Sequence, residues 1–183
     1  ALGNYQWTVT VAGQGRIHDL VVEESGSIVF CGEAWDRPLV VRSVNGNKDT
    51  VLKNKEHYHG LFVIRLSKEG DHLASMFFGE YNNASAEAIA IDSKGGLVLA
   101  GNYMYSENSY LKRNWLLARL KPNLEPDWVR AADSTGRSQF LDVVLDGRDH
   151  IYTAGWYTKQ LSIGYVDLNL EHDTQKGLIT KWT

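Results

Sequence analysis

The chain has 183 residues, of which 43% are hydrophobic and 22% charged, a balance typical of a folded globular domain and unlike that of a disordered chain. Its formal net charge is −3, and its lysines and arginines are scattered along the sequence, which disfavours nucleic acid as a partner. Cys31 is the single cysteine, which excludes an internal disulfide, and no apolar run reaches the length of a membrane-spanning helix.

The predicted elements follow one another in an order that starts near the N-terminus. A strand at 7–13 precedes a hairpin at 19–32, in which two apolar strands flank the turn Glu24-Ser25-Gly26. Another strand follows at 62–66. Glycine and polar residues between two short apolar runs are typical of hairpin turns.

The same order occurs twice more along the chain. A strand at 73–79, a hairpin at 88–101 and a strand at 116–120 form the second set, and 128–134, 142–155 and 178–182 form the third. The three hairpins align without gaps, each ends in glycine, and the strand after each carries a cation at the same place: Arg65, Arg119 and Lys181. No segment shows a sustained helical period. The sequence therefore predicts an all-β fold built from repeated four-stranded units, as in the blades of a β-propeller.

Two segments also carry a resemblance to a known family. The sequences YTAGW at 152–156 and WLLARL at 115–120, in the order hairpin, glycine with aromatic, variable loop and A-[RK]-L strand, resemble the SBBP-type β-propeller repeats of bacterial proteins. The resemblance covers most of the chain apart from the long loops. It implies the propeller fold and favours an extracellular or periplasmic location, and it implies little about function, because such repeats serve as scaffolds.

The strand count leaves the last unit incomplete. We label the hairpin strands a and b, the next strand c and the one after it d, so that the chain runs d-a-b-c over approximately 7–66, 73–120 and 128–182. The last unit lacks an outer strand, and 7–13 offers a spare one. Propellers typically need four to eight blades to close. Two alternatives stay open, a homodimer that closes a six-bladed ring, or a longer propeller whose other blades are missing from this chain.

The spacing of the repeats points to one face of the molecule. The extra length falls between strands b and c, at 35–60, 103–114 and 157–177, and these connections lie at one end of a propeller. We predict that ligand-binding residues lie there. They are the aromatic residues just past each strand-b glycine, together with the polar neighbour of the first one: Trp35, Asp36, Tyr103, Tyr105, Trp156 and Tyr157. Aromatic rings beside polar groups suit sugars and protein surfaces.

Packing of these rings between neighbouring sheets is the alternative explanation, and for Trp156 it is preferred, since the family pattern places an aromatic residue there. Glu33 and Asn102 depart from that pattern at the first position after the glycine. The departures weaken a hypothesis of three equivalent sites.

Two segments have partial metal-binding patterns. His57 and His59 would share one side of an extended strand, but a zinc site requires more ligands. Oxygen-bearing residues alternate over 167–173, without the glycine and the final glutamate of a calcium loop. The sequence therefore predicts no metal, no cofactor and no assigned catalytic residue.

Hypotheses of different classes fit these patterns. The first is a non-catalytic binding or assembly module that recognises a protein surface or a glycan. The second is an enzyme that uses carboxylates near the central channel, at the starts of the a strands: Asp19, Glu87 and Asp142. The third is a purely structural subunit of a larger assembly.

Overall fold

In a computed structural model, the chain is all-β. The structure describes residues 4, 6–43, 50–52, 59–78, 83–107, 110–132, 136–170 and 174–183. These residues contain no helix, and so none that could cross a membrane. Their strands are β1 (Val9–Val22), β2 (Ile28–Ser43), β3 (Thr50–Leu52), β4 (Gly60–Leu66), β5 (His72–Phe78), β6 (Ala84–Ile91), β7 (Leu97–Glu107), β8 (Tyr110–Leu120), β9 (Pro126–Ala131), β10 (Ser138–Leu145), β11 (Ile151–Thr158), β12 (Gln160–Ile163), β13 (Val166–Asn169) and β14 (Gln175–Trp182).

All strands except β12 and β13 form three antiparallel sheets that follow one another along the chain, and those two form a separate two-stranded sheet. The first sheet has the order β1-β2-β4-β5, with the short β3 paired to β2. The second sheet has the order β6-β7-β8-β9, and the third has β10-β11-β14. The hairpin β12–β13 lies between β11 and β14 in sequence. Each of the three sheets therefore starts with the predicted a-b hairpin and adds strands in chain order.

Apolar side chains join successive sheets face to face. Val63 of the first sheet and Leu99 of the second belong to one buried cluster, and Leu117 of the second sheet and Phe140 of the third belong to another. The alternation of strand side chains gives the second sheet two buried faces, one toward each neighbour. The second sheet is thus the centre of the core.

A β-bulge recurs in the first strand of each of the three sheets. The pairing passes over one residue in each of these strands: His18, Glu87 and Leu141. The residue before each bulge pairs with a glycine of the next strand: Gly32, Gly101 and Gly155. A Cβ atom on these glycines would lie 1.9–2.0 Å from a backbone carbonyl oxygen. The repeated glycines are therefore explained by a close backbone approach beside a bulge, which also redirects the side chain of the bulged residue.

The prediction of a separate strand at 7–13 is wrong. Val9 begins β1, which continues without interruption to Val22, and residues 9–12 pair with residues 40–43 of β2. Val9 and Val11 pack with Phe62 and Ile64 on the face of the first sheet that points away from the second. Residues 9–12 pair with β2 because the extended hairpin then covers this apolar face and removes it from water.

The long connections between strands b and c also contain paired strands. The alternation of Val166, Leu168 and Leu170 predicts one of them, and β13 confirms it. β2 continues to Ser43, and β7 and β8 pair as far as Glu107 and Tyr110. In the third sheet, the connection forms the hairpin β12–β13. Strand pairing satisfies backbone N–H and C=O groups that an irregular loop would have to leave to water.

The turn between β6 and β7 is held by a buried carboxylate. Asp92 accepts hydrogen bonds from the backbone N–H groups of Lys94 and Gly96 and from the guanidinium of Arg119. Burial acts to raise the pKa of Asp92, but these hydrogen bonds outweigh it and hold the pKa below its usual value. Arg119 is the cation of the repeated c strand, and Arg65 makes the equivalent contact in the first sheet, where its guanidinium lies 2.8 Å from Oε1 of Glu23 in the turn between β1 and β2.

Candidate functional site

A polar cluster lies where the first and second sheets meet, on the side of the long connections. Its centre is Glu87, whose Oε2 atom lies 3.1 Å from Nδ1 of His18. The Oε1 atom accepts hydrogen bonds from the Ser85 hydroxyl at 2.9 Å and from the Asn102 side-chain amide at 3.0 Å. Together with Glu33 on β2, these residues form what we call the His18 cluster.

Glu33 lies on the opposite side of the His18 imidazole from Glu87. Its Oε1 atom lies 3.6 Å from Nε2 of His18 and 3.9 Å from the guanidinium of Arg16. The same guanidinium lies 5.3 Å from the centre of the Trp35 ring, within the range of a cation–π contact. Trp35 in turn meets the ring of His59 edge-on, at a centroid distance of 5.1 Å.

The repeat geometry explains why these residues converge. The bulges at His18 and Glu87 occupy equivalent places in two adjacent sheets, and each redirects its side chain out of the regular alternation. Glu33 stands in β2 where Asn102 stands in β7, directly after the strand-b glycine. Glu33 and Trp35 are two residues apart in β2, so both point to the same side of the strand.

The cluster is partly shielded from water, and its two carboxylates differ in the number of their hydrogen-bond partners. The side chains of His18, Glu33 and Glu87 are 16%, 20% and 22% exposed. The Glu87 carboxylate has three polar neighbours, the Ser85 hydroxyl, the Asn102 amide and the His18 imidazole. Glu33 accepts no hydrogen bond from any described residue, since both of its cationic neighbours lie beyond hydrogen-bond distance. The oxygens of Glu33 are not among the buried side-chain atoms that lack a partner in the described part of the chain, so solvent or a ligand can reach this carboxylate.

A scan against protein-family models and a search of curated proteins both found no match to this chain.

Of the predicted ligand-binding residues, Trp35 contacts Arg16 and His59 beside the His18 cluster. The structure places Asp36 in β2 and Tyr105 in β7, and their side chains lie outside the described part. Tyr103 is half-buried, and its hydroxyl donates a hydrogen bond to the backbone carbonyl of Ala132. This bond holds the Tyr103 ring against the second sheet.

The predicted aromatic pair of the third repeat lies elsewhere. Tyr157 is buried in the apolar cluster between the second and third sheets. Trp156 pairs with Gln139 of β10 and Gly177 of β14 and is half-buried. The described aromatic side chains of the three repeats therefore have different surroundings.

The carboxylates expected near the channel have different roles in the structure. Asp19 accepts hydrogen bonds from the backbone N–H groups of Leu20 and Ile89, at 2.8 and 3.0 Å, and so links the first sheet to the second. Asp142 accepts one from Val143 at 2.8 Å. Among these three carboxylates, Glu87 alone belongs to a cluster of polar side chains.

In the described part of the chain, no group of three or more His, Cys, Asp or Glu side chains is arranged to hold a metal ion. His59 contacts the ring of Trp35, and His57 lies outside the described residues. In the segment 167–173, Asp167 and Asn169 belong to β13, and 171–173 lie outside the described residues.

Sequence reasoning named Glu87 but missed His18, Arg16 and the role of Glu33. The available signal was the departure of Glu33 and Asn102 from the aromatic repeat pattern. A repeat protein needs its pattern for packing, so positions that break the pattern with polar residues are candidates for function. The two departures flank the junction of the first and second sheets.

Proposed function

We propose that the three sheets are β-propeller blades of the kind found in SBBP-type repeats. Three features support this arrangement: sheets that follow one another along the chain, buried contacts between successive sheets, and a bulge with a paired glycine at the same place in each first strand. In this arrangement, β1, β6 and β10 are the innermost strands. The His18 cluster then lies near the axis, at the end where the long connections gather.

On this framework, we propose that the chain is a non-catalytic recognition module that binds a protein surface or a glycan through that end. The observation that carries the proposal is the His18 cluster beside Trp35, which combines carboxylates, an amide, a cation and an aromatic ring in one partly shielded place. Such combinations of apolar area and polar groups are typical of recognition sites. An enzymatic role for Asp19 and Asp142 is less well supported, because backbone N–H groups occupy both carboxylates.

We further propose that a second copy of the chain completes the ring. The third sheet has three strands where the first and second each have a strand at the position after c, so β14 presents a free edge within the described part of the chain. Free edges promote pairing with another chain. Light scattering after size exclusion tests this proposal: a homodimer has twice the chain mass of 20.6 kDa, and a stable monomer contradicts the two-chain ring.

The recognition proposal is tested by binding assays on a double variant, Trp35→Ala with Tyr105→Ala. Wild-type protein is applied to a glycan array and to candidate protein partners, and we expect the double variant to lose the signals. The matched control is Trp7→Ala, because the Trp7 ring packs on Gly70 in the turn between β4 and β5, at the opposite end of the sheet. Unchanged binding by the double variant to every ligand found would show that the proposed site is wrong.

A further inference from the structure

The two junctions between successive sheets are built in the same way. β6, the first strand of the second sheet, lies against β1, β2 and β4 of the first sheet, and β10 of the third sheet lies against β6, β7 and β8 of the second. Each of these first strands inserts one buried aliphatic side chain, Ile89 from β6 and Val143 from β10. The covering strand in each junction is therefore the first strand of the sheet that follows.

β1, the first strand of the first sheet, carries an equivalent side chain that is exposed. Leu20 takes the place of Ile89 and Val143 in the gap-free alignment of the three hairpins. Those two side chains are at most 4% exposed, whereas Leu20 is 56% exposed. Leu20 pairs with Phe30, so its side chain lies on the face of the first sheet that points away from the second. The first sheet thus has an aliphatic side chain available to cover another sheet.

The third sheet exposes the kind of surface that receives such a strand. In the first and second sheets, this surface includes Val63 and Leu117 on the c strands, and both side chains are fully buried. Ile179 of β14 takes their place in the alignment and is 81% exposed. Val144 of β10 is 55% exposed on the same face as Ile179, since the residue before each of them packs against the second sheet. Within the described part of the chain, this face therefore lacks the covering strand that its two equivalents have.

The charges of the two exposed surfaces are also complementary. In the first junction, the guanidinium of Arg65 donates a hydrogen bond to the backbone carbonyl of Pro122, in the turn between β8 and β9 of the next sheet. Lys181 takes the place of Arg65 in the third sheet. The turn 67–71 of the first sheet is equivalent to the turn of Pro122, and its two carboxylates and one lysine give it a net negative charge. A cation therefore meets an acidic turn when the third sheet receives a first sheet.

We infer that β1 of a second copy of the chain lies on the exposed face of the third sheet, with Leu20 of the partner subunit against Ile179 and Val144. The inference rests on the proposed two-chain ring and names the surfaces that meet in it. The contact repeats the first internal junction, where Ile89, Val63 and Val21 pack in one cluster. A second copy covers both exposed surfaces at once, because two-fold symmetry forms the same contact twice.

The first experiment measures the dimer dissociation constant of the full chain by light scattering after size exclusion, over a range of protein concentrations. We expect Ile179→Asp to raise this constant by at least about a hundredfold, because a charge is buried in each of two contacts. The matched control is Leu73→Asp, at a position that is 54% exposed on β5, the strand of the first sheet furthest from β1. The control is expected to leave the constant unchanged, and circular dichroism checks that both variants are folded.

The second experiment tests that the contact joins the first sheet of one copy to the third sheet of the other. Leu20→Lys and Ile179→Asp are each expected to be monomeric alone and to form a dimer when mixed. In the mixed dimer, one contact keeps its two native residues, and in the other the introduced lysine faces the introduced aspartate. The control mixture is Leu20→Lys with Ile179→Lys, which places two like charges in the second contact and is expected to stay monomeric.

The outcomes separate this inference from the ring on which it rests. A stable wild-type monomer contradicts both. A wild-type dimer whose dissociation constant is unchanged by Leu20→Lys and by Ile179→Asp overturns the contact named here and leaves association of two chains standing. If both variants are monomeric and their mixture forms no dimer, the joining of a first sheet to a third sheet is wrong, and each surface instead meets its own equivalent.

Discussion

Replacing Gly101 by alanine tests the central packing argument. A Cβ atom at this position would lie 2.0 Å from the carbonyl oxygen of Ser85, 3.0 Å from its carbonyl carbon and 3.1 Å from Cα of Ala86. All three atoms belong to backbone, and β6 and β7 are fixed by the buried clusters on both faces of the second sheet. Rotation of a side chain therefore cannot relieve the clash.

We expect Gly101→Ala to lower the free energy of unfolding by about 3 kcal/mol, at the upper end of the usual cost of overpacking. With a urea dependence of about 2 kcal/mol per molar, the unfolding midpoint falls by about 1.5 M. Tryptophan fluorescence and far-UV circular dichroism, followed in parallel, measure the midpoint and test whether unfolding is two-state.

The matched control is Gly147→Ala in the turn between β10 and β11. A Cβ atom there meets no atom within 4 Å, and the backbone of Gly147 does not adopt a positive φ. Both substitutions reduce the entropy of the unfolded chain equally, so their difference isolates the steric term. The control is expected to be unchanged or up to about 1 kcal/mol more stable. If Gly101→Ala unfolds within about 0.5 kcal/mol of the control, the explanation of the repeated glycines is wrong.

Three further predictions concern buried polar groups. The folded pKa of Asp92 is depressed, so its contribution to stability is complete above its unfolded pKa of about 3.9 and is lost as the pH falls through the lower folded value. We therefore expect Asp92→Asn to lower the free energy of unfolding by about 2 kcal/mol at pH 7 and to flatten the acid side of the curve of stability against pH. An unchanged acid side of that curve would contradict this prediction. Asp19→Asn, which weakens the hydrogen bond to Ile89 between sheets, should cost about 1–2 kcal/mol by urea unfolding, with Asp127→Asn on β9 as the control. Burial, and to a smaller extent the charge of Asp19, raise the pKa of the Cys31 thiol. We therefore expect the native protein to react with a thiol reagent only as fast as it unfolds. Rapid labelling of Cys31 in native buffer would refute its buried position.

The all-β class and the order of strands could be predicted from sequence because both depend on local patterns. Apolar runs of strand length and glycine-containing turns lie within each hairpin, and the gap-free alignment of the three hairpins requires only comparison of these local segments. Each repeated glycine was visible as a pattern. The physical reason for each glycine could not be predicted, because the carbonyl oxygen that the glycine approaches belongs to the preceding strand. That oxygen lies beside a bulge, which composition does not reveal.

The sequence by itself determined that the chain forms successive β-hairpins with a strand added after each. The tertiary structure decided the rest. Residues 9–12 pair with β2, because this pairing covers the apolar face around Phe62. The bulged His18 contacts Glu87, which lies 69 residues further along the chain. Local propensity can specify a strand, but which strands stack is set by the apolar faces that must be covered and by the polar groups left beside them. The candidate site is a product of that stacking, since its residues come from two sheets that meet only when the chain has folded.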